Sequence, residues 1–200
     1  MADMNNRMTI VTFSVSVAFL IPAVLSFAQE PQAPAPPPFR ITAVRQRLVT
    51  PPDYRSIFQD SGNRSTSANQ NWLQIEAEFA SSPDWADDVQ VKYYVLVGQG
   101  ENARCLVGEM TYVNVARSPQ HYSGMFAHPN TLQRYGNGQV GAVAVQLFYK
   151  GQLVDQGSYP LSTDHWWERM APISGLLLAP RETPWSVLAF GRYESPKPTP

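Results

Sequence analysis

Between Phe39 and Tyr193 apolar and polar positions alternate in short runs, and the run from Gln139 to Pro160 is the clearest of them. Val143, Val145, Leu147 and Tyr149 alternate with Ala142, Ala144, Gln146 and Phe148. Both faces are mostly apolar, as in a strand covered on two sides. Lys150-Gly151 breaks the pattern, and a return through Leu153, Val154 and Tyr159 follows. Glycine supplies the positive φ that a two-residue hairpin turn needs. This turn sets Phe148 opposite Leu153 and Leu147 opposite Val154. The pattern predicts the central hairpin of a sandwich.

The same period of two recurs elsewhere. Leu73, Ile75, Ala77 and Phe79 share one face of a strand from Trp72 to Ala80, and Gln74, Glu76 and Glu78 share a face expected to meet water. Ser81 to Asp84 is expected to turn the chain into a strand from Val89 to Val97. A turn at Gly98 to Asn102 leads into Ala103 to Val107, and Met110 to Val115 continues that pairing, with Gly108 expected as a bulge. Before these, Phe39 to Val49 alternates Ile41 and Ala43, with Leu48, against Arg40, Arg45 and Arg47. Tyr54 to Phe58 is expected to form a helical turn, and the polar stretch Asp60 to Asn71 a surface loop. His121 to Ala127 is a short strand bounded by Pro119 and Pro129, and Ile173 to Leu178 an edge strand able to pair with another subunit. Ser162-Thr163-Asp164 offers caps for a short helix from His165 to Arg169, and Trp185 to Tyr193 makes a last strand. Seven to nine short strands and one short helix describe an all-β protein, an antiparallel β-sandwich. Immunoglobulin-like topology is the commonest such solution, and a jelly roll is the other.

The ends of the chain differ in composition. Arg7 precedes an apolar run from Ile10 to Leu25, and Ser26-Phe27-Ala28 places small residues where a signal peptidase cuts. Residues 1–28 are therefore expected to be a signal peptide. An uncleaved anchor is the alternative, but the run is short for a span and Pro22 interrupts it. After cleavage no transmembrane span is expected. Residues 29–38 contain PQAPAPPP, a semi-rigid spacer, residues 39–194 form the β-domain, and residues 195–200 are expected to be a disordered tail. Cys105 is the only cysteine of 200 residues, so no intrachain disulfide forms, and its apolar surroundings suggest a buried small side chain. A secreted domain without disulfides fits a bacterial envelope, in the periplasm or at the outer surface. The net charge of −1 gives no electrostatic case for nucleic acid.

Candidate chemistry is sparse. His121, His128 and His165 lack a metal-ligand spacing, and neither a metal nor another cofactor is expected. Ser162, Asp164 and His165 contain the residue types of a nucleophilic triad, but no G-x-S-x-G elbow is present, and Asp164 is better explained as a helix cap. Glu76 and Glu78 lie about 7 Å apart on one strand face, the common pattern of a solvated surface. No catalytic residue is assigned, and the protein is expected not to be an enzyme. The candidate binding residues are aromatic: Trp166, Trp167, Trp185 and Tyr159. Exposed tryptophans stack on sugar rings or anchor protein interfaces, and at least one of the Trp166–Trp167 pair is expected to plug the sandwich.

The stretch Leu178-Ala-Pro-Arg-Glu-Thr-Pro-Trp185, followed by Gly191-Arg-Tyr-Glu194, resembles verrucomicrobial secreted proteins. The resemblance extends to the signal peptide, the Pro-rich spacer and the single β-domain. It implies an Ig-like fold, association with type IV pilus-like machinery, and a structural or binding role with an envelope protein or a second copy as partner. The pilin hallmark, a long apolar N-terminal helix retained after processing, is absent, so the expected role is accessory. The competing reading is a carbohydrate-binding module with polysaccharide as partner.

Overall fold

A computed structural model describes residues 37–52, 71–187 and 191–198. The signal peptide, most of the spacer, the Tyr54–Phe58 turn and nearly all of the Asp60–Asn71 loop lie outside the described residues. Within them are nine strands: β1 (Phe39–Val49), β2 (Trp72–Ala86), β3 (Val89–Val97), β4 (Arg104–Tyr112), β5 (Val115–Ala127), β6 (Val140–Tyr149), β7 (Gln152–Tyr159), β8 (Pro172–Ser174) and β9 (Leu177–Leu178). Two helices accompany them, α1 (Pro129–Gly136) and α2 (Trp166–Arg169). One sheet, A, has the order β1-β2-β5-β9, and the other, B, the order β7-β6-β3-β4-β8. All pairings are antiparallel except β4 with β8. The first seven strands follow the Greek-key order of immunoglobulin-like sandwiches, A-B-E in one sheet and G-F-C-C′ in the other. The fold is an all-β sandwich.

The two inner faces supply the core. Leu73, Ile75, Ala77 and Phe79 from β2 meet Val89, Val91, Tyr93, Val95 and Val97 from β3 and Val143, Val145 and Leu147 from β6, all essentially inaccessible. Tyr93 and Tyr112 would strand two hydroxyls in this core. Both reach the buried Ser123 Oγ instead, Tyr112 at 2.5 Å.

The β6–β7 hairpin turns at Lys150 (φ 50°) and Gly151 (φ 76°), the two positive values a type I′ turn requires. Phe148 faces Leu153 as expected, but Leu147 faces Asp155 because a bulge intervenes. The bulge frees Asp155, whose Oδ2 accepts the Ile41 N–H at 2.7 Å and ties the edge of sheet B to β1. The strand β6 is interior, and β7 is an edge.

Several expectations are corrected. Strand β2 does not end at Ala80 but continues to Ala86 through two register shifts, and β5 begins at Val115. Pro83 and Pro119 fall within these irregular stretches, where a missing N–H does no harm. Gly108 is no bulge, since it pairs in register with Tyr93. A Cβ there would lie 2.7 Å from Met125 Sδ and 2.8 Å from Leu177 Cβ, so glycine permits the close approach of sheet A. Helix α1 joins β5 to β6: Pro129 starts it, and Asn137 (φ 50°) ends it in the left-handed region. Among the described residues the expected strand from Trp185 to Tyr193 is not found; residues 184–187 and 191–192 are turns. The segment Ile173–Leu178 is not one strand but two, β8 against sheet B and β9 against sheet A, separated at Gly175 (φ 79°).

The C-terminal segment then wraps the sandwich. Glu194 N–H donates to Tyr122 O on the edge of β5, and Lys197 N–H to Thr111 O on the edge of β4 at 2.7 Å. Pro196 bridges to Tyr112, and Lys197 Nζ lies 2.9 Å from Asp88. Ser195 to Lys197 are therefore bonded to the domain, which corrects the expectation of a loose tail from residue 195. Pro38 O accepts from Ser82, close to the β2–β3 turn that also lies beside Tyr112. The chain thus enters and leaves the described domain at the same end.

Candidate functional site

Both outer sheet faces are largely covered by the protein's own C-terminal third. On sheet B, α2 lays Trp167 over Tyr94, Cys105, Val107 and Ala144, forming a second apolar cluster. Trp167 is 4% exposed, and Trp166 is half-buried, edge-on to it at 5.6 Å. A polar row crosses beside them: Tyr94 OH donates to Gln146 Oε1 at 2.8 Å, and Gln146 Nε2 to Gln156 Oε1 at 3.2 Å. Gln156 Nε2 in turn meets His165 Nε2 at 3.1 Å. Burial pushes the Tyr94 hydroxyl up to about 12 and the Cys105 thiol up to about 11. Cys105 stays a protonated, unreactive core residue at neutral pH.

Sheet A is covered by a strap formed by Arg192, Tyr193 and Glu194. Glu76, expected to face water, is 5% exposed. Arg192 Nε and Nη2 hold its carboxylate in a fork at 2.8–3.0 Å, and the guanidinium lies 4.7 Å above the Tyr122 ring. Gln74, 6% exposed, donates to Tyr193 OH at 2.7 Å. Gly124 lets the Tyr193 ring approach, since a Cβ would lie 2.8 Å from its Cε1. Glu78 pairs with Arg45 at 2.8 Å, a hydrogen bond that holds its carboxyl below the ordinary value. The two glutamates are thus both ion-paired.

The strap also completes a chain with triad connectivity. Ser81 Oγ lies 2.9 Å from His121 Nε2, and His121 Nδ1 lies 2.7 Å from Glu194 Oε1. Its setting is that of a structural clamp. Ser81 Oγ donates to Ala116 O at 2.7 Å and accepts from Ser118 N at 3.0 Å, so it stitches the β2–β5 bulge. Ser81 is 7% and His121 4% exposed, and the His121 ring stacks on Phe79 at 4.9 Å. A serine so bonded joins β2 to the backbone groups of β5. The group Ser162, Asp164 and His165 has no triad geometry: Asp164 pairs with Arg169 at 2.6 Å, and Ser162 Oγ accepts from Asp164 N. Among the described residues no cluster of three or more His, Cys, Asp or Glu is arranged to hold a metal.

The aromatic residues singled out in the sequence do not converge. Trp166 and Trp167 lie on the outer face of sheet B. Trp185 lies against sheet A, stacked on Phe126 at 5.1 Å and edge-on to Trp72 at 5.5 Å. Tyr159, 47% exposed, pairs with the core-facing Val143 at the end of β7. The most exposed tryptophan is Trp85, 70% exposed in the irregular end of β2, where the preceding Asp84 pairs with Arg117 at 3.0 Å. The Ser-Ser-Pro-Asp run before it signals a turn and concealed its strand context.

A concavity lies on the side where β4 faces β5. The β8–β9 crossover closes one end of this opening, and the Glu194–Lys197 crossover the other. Between them lies a cavity of about 520 Å³ lined by Gly108, Met110, Met125, Leu177 and Ala179, with Lys92, Glu109, Arg181 and Glu182 also on its wall. A neighbouring cavity of about 240 Å³ shares Met110 and Arg181 and reaches Tyr112 and Tyr193.

No curated protein matches the chain. A crystal structure of a protein from Akkermansia muciniphila superposes with a TM-score of 0.65 at 21% identity, over 81% of this chain and 95% of that one. That similarity establishes a shared fold. One family model matches residues 39–199, from the first residue of β1 through both crossovers to the C-terminal strap, and the chain belongs to that family.

Proposed function

We propose that the protein is a non-catalytic, secreted component of a bacterial cell envelope that acts as a structural or binding adaptor for a protein partner, in association with a pilus-like assembly. The observation that carries this reading is the nature of its concave surface. The opening between β4 and β5 is lined by strand backbone, methionines and charged side chains, and in the serine–histidine–glutamate chain Ser81 and His121 are buried and Ser81 is bonded to the backbone of β5. Surfaces of this kind hold a partner rather than a transition state. The signal-like N-terminus supports export to the periplasm or outer surface, and among the described residues no helix is long and apolar enough to cross a membrane. Cross-linking intact cells and identifying what co-purifies with a tag after Pro200 tests the reading. Recovery of pilus or envelope assembly proteins, or of a second copy, supports it. Recovery of no protein, with release of the domain by soluble polysaccharide, overturns it.

A carbohydrate-binding role is favoured by one observation, the exposed Trp85 ring. This reading moves the platform from Trp166 and Trp167 to Trp85. Retention by a polysaccharide matrix that Trp85→Ala abolishes would establish it, and retention unaffected by that change would remove it.

A further inference from the structure

We propose that the open edge of β4, between Val107 and Tyr112, is a β-addition site for an extended partner segment of the pattern apolar–basic–apolar. The proposal deepens the adaptor reading and rests on it.

The backbone directions follow from the strap. Lys197 N–H donates to Thr111 O, so the main-chain polar groups of Thr111 face the edge away from β3. In a strand these groups point to alternate sides, so Glu109, two residues earlier, presents both its N–H and its C=O to the same edge. The ladder to β8 ends at Val107–Ser174, and the strap rejoins β4 at the Tyr112–Pro196 bridge. Among the described residues, the outward N–H and C=O of Glu109 therefore have no strand partner. About three residues of edge, Gly108 to Met110, roughly 10 Å, lie open among the described residues.

The occupant's chemistry follows from what already sits on this edge and from side-chain alternation. Two extended segments of the chain occupy it, one parallel (β8) and one antiparallel (Ser195–Lys197), so extended peptide is what the edge accepts. A residue paired with Glu109 shows its side chain on the outer face beside the exposed Glu109 carboxylate, which suits a basic group. Its two neighbours point inward, toward the side of the 520 Å³ cavity formed by Met110, Met125, Leu177 and Ala179, which suits apolar side chains, while Lys92, Arg181 and Glu182 stand on the remaining wall. Gly175, small and exposed, flanks the opening at the β8 end, and Lys197 flanks it at the other.

The test is an NMR titration of the ¹⁵N-labelled protein with acetyl-Thr-Val-Lys-Val-Thr-amide. The expected result is saturable shifts of the Glu109 and Thr111 amides. N-methylation of the peptide's lysine, which removes the donor aimed at Glu109 O, is expected to weaken binding about tenfold. Glu109→Lys should reverse the preference toward the peptide carrying Glu in place of its lysine. Glu109→Pro should abolish binding while leaving the β3–β4 ladder in place, since the lost N–H points away from β3; if that variant misfolds, Glu109→Lys decides. Absence of shifts at these amides, or equal binding of the N-methylated peptide, overturns the proposal. A cross-linked partner that binds both variants like the unmodified protein overturns the edge site and leaves the adaptor reading standing. Recovery of no protein partner counts against the adaptor reading, while the titration still decides the edge.

Discussion

Arg192→Ala is the sharpest perturbation of the strap. It removes both arms of the fork on Glu76 and leaves a carboxylate that is 5% exposed. Breaking a fully buried ion pair costs about 3–5 kcal/mol, whereas exposed pairs contribute about 0–1. Here the carboxylate is buried, but the arginine side chain is 47% exposed. Two groups also remain near Glu76 in the variant, Arg45 at 4.0 Å and Tyr193 OH at 3.4 Å. These considerations place the loss at about 2 kcal/mol. For a chain of this size that is a fall in midpoint temperature of about 4–8 °C. Adding Glu76→Gln to Arg192→Ala removes the uncompensated charge and should return about 1 kcal/mol. Urea denaturation of the two single variants and the double variant closes the cycle. A loss below about 0.5 kcal/mol for Arg192→Ala, or a double variant no more stable than it, would refute the idea that a buried charge fastens the strap.

Three further outcomes follow from the geometry. Trp167→Ala should cost about 3–5 kcal/mol and Trp166→Ala about 1, because only the first ring is fully enclosed; equal losses in urea denaturation would contradict the second apolar cluster. Burial raises the folded-state hydroxyls of Tyr93 and Tyr112 above the unfolded value of about 10. Their contribution is therefore complete below about pH 10 and lost as pH rises toward the folded values, so the melting temperature should fall only in strong alkali; tyrosinate absorbance at about pH 10 that Tyr93→Phe or Tyr112→Phe diminishes, with no loss of structure, would show them accessible. Ser81→Ala should cost about 1–2 kcal/mol by orphaning Ala116 O and Ser118 N–H, and the unmodified protein should resist fluorophosphonate labelling; covalent labelling of Ser81 would overturn its structural assignment.

The regular parts of the sandwich were readable because their chemistry is local. Alternation at Leu73–Phe79 and Val89–Val97 reports a buried face, and Lys150-Gly151 reports a turn, whatever the rest of the chain does. What escaped were features decided at long range. Nothing around Gln74 and Glu76 signals that residues more than a hundred positions later will cover them. Alternation alone therefore assigned that face to water. Trp185, Val187 and Ala189 alternate with Leu188 and Phe190 like a strand, but Trp185 and Tyr193 each belong to a wrap across sheet A. Helix α1 presents only Leu132 and Gly136 as buried residues, too few to show a helical period. Its Pro129 start and Asn137 end were the available signals. The convergence of Ser81, His121 and Glu194 joins three distant segments, and no spacing rule finds such a group.

The shared location of the chain's entry and exit has a mechanical meaning. Tension applied between residues 37 and 198 would act on the Pro38–Ser82 bond at one side and the Lys197–Thr111 bond at the other. Each is the first of a series that opens one bond at a time, so the strap and β1 would peel like a zipper instead of resisting in shear. Force carried along this polypeptide would thus release the C-terminal strap early, with most of the sandwich still intact.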